Sequence, residues 1–189
     1  MNFIIDNHIV LYTQNKIWFE KKGRRRRTDK QELCNNFYDR GNVVTIQITM
    51  PESDWEKLRN AESYSGRCNY ESTGSRYDWF KAMSVDISGS AFPLRGHTFA
   101  SVAIRKRSYC GSFSTSKPAL KLHFSKYNPS NKNMIEDLIG TQYITLNNCV
   151  QDPSYIRQPL GYLLLKQAGL PYSRCNFAKV LVKNIYYGV

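Results

Sequence analysis

The alternation of apolar and polar side chains is clearest at Val43–Met50. There VVTIQITM has the two-residue period of a half-buried strand, and Pro51 stops it. A helix is expected at once: Pro51 suits a first turn, Glu52, Asp54 and Glu56 sit near the positive helix end, and Trp55 and Leu58 mark an apolar side. Ser63–Arg76 is polar and turn-like, and Ala82–Ile87 and Thr98–Arg105 read as strands with Gly89, Pro93 and Gly96 as turn residues. Residues 102–124 read as strand, Gly/Ser/Thr loop and strand, with Leu120, Leu122 and Phe124 on one face and Lys121 and His123 on the other. Met134–Ile139 then reads as a short helix or loop, and Gln142–Asn147 as a strand. Asp152 as N-cap and Pro153 at N1 open a helix in which Ile156, Leu160, Leu163, Leu164 and Ala168 recur at helical spacing. Gly169 and Pro171 stop it, and Pro159 marks a kink or a second start. Phe177–Val182 and Ile185–Val189, joined by Lys183 and Asn184, read as a β-hairpin. The pattern predicts an α+β fold: a twisted antiparallel sheet packed with one main helix, whose Ile156/Leu160/Leu163/Leu164 stripe is buried.

The first forty residues do not share this pattern. Phe3–Leu11 and Ile17–Phe19 could form two short strands, and the run Lys21–Arg27 follows as a solvated, self-repelling arm. The chain's 189 residues are enough for one domain, and 41% hydrophobic with 13% aromatic residues excludes a disordered tail. No apolar run reaches the length of a membrane span, and Asn2, Asp6, Asn7 and His8 interrupt the one candidate for a signal-peptide core.

The net charge of +12 is unevenly placed. Residues 87–189 hold 13 basic and three acidic groups, with no carboxylate between Asp86 and Glu136 or after Asp152. That field suits polyanions: nucleotide phosphates, nucleic acid, acidic peptides or anionic surfaces. The five cysteines lack any C-x-x-C pair and the three histidines lack metal-ligand spacing, so the cysteines read as small buried apolar residues rather than a zinc site.

The hairpin at 102–124 carries the candidate chemistry. Its small residues let backbone N–H groups approach phosphate oxygens, and Arg105, Arg107, Lys117 and Lys121 place positive charge at the two strand ends. The same pattern also describes an ordinary solvated hairpin.

Several segments in order resemble the spore-coat protein H (CotH) kinase family. They are Leu146-Asn147-Asn148, Asp152-Pro153-Ser154 with Arg157, Gly169-Leu170-Pro171, Ser173-Arg174 and VLVKNIYYGV at Val180–Val189. The likeness is strong from Val102 to Val189, weaker from Val43 to Phe99 and absent in residues 1–40. It divides the chain into a basic N-terminal arm, 1–41, and a partial CotH-like domain, 42–189. The resemblance implies an atypical protein-kinase-like N-lobe, apparently truncated, with ATP and Mg²⁺ as cofactors. It also implies an extracellular, cell-surface or spore-coat setting, although no signal peptide is seen. The phosphate-binding set it suggests is Arg105, Arg107, Gly111, Ser112, Lys117 and Arg157, with no metal ligand assigned.

Three positions depart from the family pattern. Ser108 stands where Arg-x-Arg is expected to be followed by Gly, Gln158 stands where an acid often follows the helix Arg, and no Asp or Glu follows Asp152. Phosphoryl transfer with Mg²⁺ needs carboxylates, so the expectation is a domain that is catalytically deficient alone. The alternative is a cell-surface or spore-coat binding or adhesion module that uses the basic second half, Tyr186 and Tyr187 to hold an acidic protein or surface. Nucleic-acid binding through Arg24–Arg27 ranks lowest, because aromatic and basic residues do not interleave along the chain.

Overall fold

Strand β2 (Val44–Thr49) buries Val44, Ile46 and Ile48 and exposes the residues between more fully, as its two-residue period requires. It belongs to a computed structural model that describes residues 9–12, 29–62, 77–89, 97–108 and 110–186. Ahead of it come β1 (Ile9–Tyr12) and α1 (Asp29–Phe37). After it come α2 (Glu52–Asn60), β3 (Phe80–Ser88), β4 (His97–Lys106), β5 (Leu120–His123) and α3 (Asn131–Ile139). The last elements are β6 (Tyr143–Asn147), α4 (Arg157–Gln167), β7 (Cys175–Val182) and β8 (Ile185–Tyr186). The expected strand at 3–11 is described only from residue 9, as β1, and the expected strand at 17–19 and the basic run at 21–27 lie outside the described residues.

The strands form one curled sheet in the order β1-β6-β5-β4-β3-β2-β7-β8. Because β1 also pairs with β7, from Ile9↔Ala178 to Tyr12↔Cys175, seven strands close into a ring. β7 is long enough to carry β1 along its first half and β8 along its end, at Leu181↔Tyr186 and Val182↔Ile185. The sheet is mixed rather than purely antiparallel, since β2 and β7 run parallel from Val44↔Ala178 to Ile48↔Val182. Closure pairs edges that would otherwise offer unpaired backbone groups to other chains. Lys183 (φ 50°) and Asn184 (φ 66°) turn β7 into β8 through two left-handed residues, the geometry of a tight two-residue hairpin.

Inside the ring Ile46, Ile48, Val85, Ile87, Phe99, Ile104, Leu122, Leu146 and Val180 pack together. Leu120, Leu122 and Phe124 all point into this core, as the alternation predicts. α2 adds Trp55 and Leu58, while α1 and α3 pack on one another and add Cys34, Phe37, Ile135, Leu138 and Ile139. Cys34, Cys149 and Cys175 are buried free thiols, and burial pushes Cys175 up to about 11.

The reading of α4 as the main core helix is overturned. Ile156, Leu160 and Leu164 are 54%, 49% and 57% exposed, and Leu163 is only half-buried. The helix begins at Arg157, because Asp152 first closes a turn, with Tyr155 N–H donating to its carbonyl at 3.0 Å, and then accepts from Arg157 N–H at its carboxylate, 2.9 Å away. Pro159 is the buried residue of α4 and sits in its first turn, where a missing N–H costs nothing. The core cluster is built from the strands and α1–α3 with no residue of α4, which lies against β7, where Tyr162 packs beside Cys149 and Cys175.

Three buried asparagines join segments that no ladder connects. Asn131 Nδ2 donates to Ala100 O (2.8 Å) and Phe124 O (2.9 Å), and Asn176 Nδ2 to Phe37 O (2.8 Å) and Asn42 O (2.7 Å). Asn148 Nδ2 donates to Ser112 O (2.9 Å) and Lys117 O (2.8 Å). Each amide donates to two backbone carbonyls at once, two of the four donor–acceptor sites a side-chain amide can offer.

Candidate functional site

The loop from Arg107 to Lys117 leaves β4, passes through a single 3₁₀ turn at Cys110–Ser112 and returns into β5. Its ends are tied by Arg107 N–H donating to Ala119 O at 2.7 Å. Asn148, from the segment between β6 and α4, holds its middle and its far end through the two carbonyls named above. The Lys117 N–H donates to Ser114 Oγ at 2.9 Å, which fixes the turn into β5.

Lys117 is only 8% exposed. Its ammonium lies 5.0 Å from the Tyr155 ring centroid, and among the described residues it has no hydrogen-bond acceptor. Burial lowers its pKa, and the nearby Cys149 opposes that shift. Cys149 (φ 53°) and Tyr155 (φ 59°) both hold left-handed backbone that side-chain-bearing residues rarely adopt. Ser108 is buried with its Oγ lacking a partner among the described residues, while its carbonyl accepts from Tyr77 OH at 3.2 Å.

The structure sorts the six residues suggested by sequence into three places. Ser112 and Lys117 are tied together through Asn148. Gly111 and Arg157 both meet Gln151: a Cβ at Gly111 would lie 2.0 Å from Gln151 Nε2, and Arg157 Nη1 donates to Gln151 O at 3.3 Å. Arg157 is solvent-exposed and pairs with Asp152 at 3.6 Å. Burial would raise the Asp152 carboxyl, but hydrogen bonds from Ser154 and Arg157 together hold it below its ordinary value, so this acid is engaged at the helix start. Arg105 and Arg107 project from the opposite face of β4 to Ile104 and Lys106. Arg107 Nη1 donates to Thr145 Oγ1 at 3.0 Å, and the Arg105 guanidinium lies 4.6 Å over the Trp79 ring.

Lys106, between them, is a different kind of cation. It is 1% exposed, and its ammonium donates to Arg59 O (2.7 Å) and Ala61 O (3.0 Å) at the end of α2, where the helix dipole is negative. Sequence reasoning missed Tyr155, Cys149 and the stapling role of Asn148. Asn148 had a signal in the Leu146-Asn147-Asn148 motif, whereas Tyr155 and Cys149 had none.

The family model described as CotH kinase protein matches residues 104–189, the segment that holds this loop, α4 and the final hairpin. No curated protein and no solved structure matches the chain.

Proposed function

On the premise that residues 104–189 are a segment of the CotH kinase family, we propose that this chain is a kinase-like domain of CotH type. It holds nucleotide phosphates at the Lys117 loop and is catalytically deficient by itself. The carrying observation is Lys117 itself, a residue only 8% exposed whose ammonium lies over the Tyr155 ring and has no hydrogen-bond acceptor among the described residues. A partly desolvated cation of this kind is stabilised by an incoming anion, and phosphate oxygens are strong acceptors for it. Arg107 shares the loop by its backbone, its N–H donating to Ala119 O two residues from Lys117, while its guanidinium donates to Thr145 on the outer face of the sheet.

Among the described residues, those of the loop fit the phosphates of ATP and not its metal. Among the described residues no group of three His, Cys, Asp or Glu could hold a metal ion, and Asp152 is engaged with Ser154 and Arg157. ATP would bring the transferable phosphoryl group, and Lys117 would bind and orient it. Calorimetric titration of ATP should show weak binding that falls at least tenfold in Lys117→Ala with the melting temperature kept. Equal affinities would remove Lys117 from the site. An assay with radiolabelled ATP, Mg²⁺ or Mn²⁺ and an acidic protein should give no transfer above background. Metal-dependent transfer abolished by Lys117→Ala would overturn the deficiency.

The second reading, a cell-surface or spore-coat binding module, is favoured by the exposed Ile156, Leu160 and Leu164 on α4. Partner capture that needs neither nucleotide nor metal would support it over the first.

A further inference from the structure

The outer face of β4, β5 and β6 carries an arrangement that the Lys117 loop does not use. Arg105 stands opposite Lys121 and Lys121 opposite Thr145, while in the next row His123 stands opposite Tyr143. Trp79, just before β3, lies beneath the Arg105 guanidinium at 4.6 Å, and Lys126 lies 5.9 Å from the same ring. Lys121 sits 5.0 Å from the Tyr143 ring, Tyr143 4.2 Å from His123, and His123 6.0 Å from Trp79. Cations therefore share one row of the face and rings the next, side by side, although along the chain they are scattered from residue 79 to 143.

Two features of this face are unfavourable for the protein alone. Like charges placed directly opposite in a ladder repel, as Arg105 and Lys121 do. Burial first, and then neighbouring guanidinium groups, lowers the pKa of both, and a bound anion would favour the charged form of each. The rings narrow the class of anion. An acidic peptide would use only the cations, whereas a nucleic-acid strand presents phosphates to the cations and flat bases to the half-buried aromatic rings. A duplex hides its base faces, which leaves the single strand.

We propose that this face binds single-stranded nucleic acid, with phosphates at Arg105, Lys121 and Lys126 and bases stacked against Trp79, His123 and Tyr143. The surface is distinct from the Lys117 loop, and the proposal does not depend on the nucleotide reading.

Fluorescence anisotropy with labelled single-stranded oligothymidylate and oligouridylate, the matching duplexes and poly-glutamate tests it on the whole chain at near-physiological salt. Single strands of at least one type should bind at least tenfold more tightly than duplex or poly-glutamate and should quench tryptophan emission. Trp79→Leu with Tyr143→Leu should weaken binding about tenfold or more and remove most of the quenching. Lys121→Gln should lower the slope of log affinity against log salt by about 0.7. Lys117→Ala should leave oligonucleotide affinity within about twofold of wild type. Poly-glutamate or duplex binding as tightly as the single strands, or no binding to any probe, would overturn the proposal. So would unchanged single-strand affinity in a ring variant whose circular dichroism and melting match wild type.

Discussion

Replacing Asn148 tests how the candidate loop is held. The side chain is fully buried, and its amide donates to Ser112 O at 2.9 Å and Lys117 O at 2.8 Å. Asn148→Ala removes two hydrogen bonds of about 1 kcal/mol each, and leaving the buried Lys117 carbonyl without a donor adds about 1–2 kcal/mol, for a loss of about 3–4 kcal/mol. Asn148→Asp keeps the shape but turns the donor into a carboxylate facing two carbonyl oxygens, so it should cost at least as much at pH 7. The introduced carboxyl would have a folded-state pKa above its unfolded value. Its penalty is therefore full at high pH and shrinks as pH falls toward that raised pKa, where the protonated acid donates one bond again. Urea denaturation of both variants between pH 5 and 8 reads this directly. A cost under about 0.5 kcal/mol for Asn148→Ala, or an Asn148→Asp variant as stable as wild type at pH 7, would refute the stapling argument.

The other predictions concern the core, an unpartnered hydroxyl and one histidine. Leu122→Ala should cost about 2–5 kcal/mol because the side chain is fully buried, whereas Leu164→Ala on the exposed side of α4 should stay within about 0.5 kcal/mol; denaturant midpoints compare the two. Ser108→Ala should raise stability by about 1 kcal/mol in the same measurement, since it removes a buried hydroxyl without a partner among the described residues. Burial, followed by the Lys126 and Lys121 charges, holds His123 below its ordinary 6.5. The unfolded chain therefore takes up the proton first on acidification, and the stability His123 contributes is full above about pH 6.5 and lost as pH falls through the lowered value. His123→Gln should flatten that part of the stability profile, a window above the one where the lowered carboxyls of Glu56 and Asp152 titrate.

Periodicity located the strands because strand faces obey a local rule, and β2 and β5 follow it. It misjudged α4 because Ile156, Leu160, Leu163 and Leu164 have helical spacing whether or not anything covers them, and here the core cluster holds no residue of α4. The triplet Arg105-Lys106-Arg107 shows a second limit. Three adjacent cations look alike in sequence, yet the pleat sends the middle one into the core, where the end of α2 supplies two carbonyls from residues nearly fifty positions earlier. Ring closure by β1 was equally hidden, since four residues carry no sign of pairing with both β6 and β7. The loop itself was legible from its small and basic residues. Its support was not, because Asn148 and Tyr155 reach it only through the β6 register.

That support also couples the stability of the fold to the geometry of the site. Backbone held in left-handed conformations, as at Cys149 and Tyr155, persists only where surrounding contacts over-determine it. Asn148 adjoins Cys149 and fixes the loop carbonyls on both sides of the 113–116 stretch, so it constrains the Lys117 end of the loop and the strained segment together. Removing it lets both relax, and the Lys117 ammonium then loses its fixed position beside Tyr155. Asn148→Ala should therefore weaken ATP binding as well as stability, at temperatures where the variant is still folded. Leu122→Ala, equally destabilising but remote from the loop, should leave ATP affinity unchanged, and equal losses of affinity in both variants would show that the loop merely follows global stability.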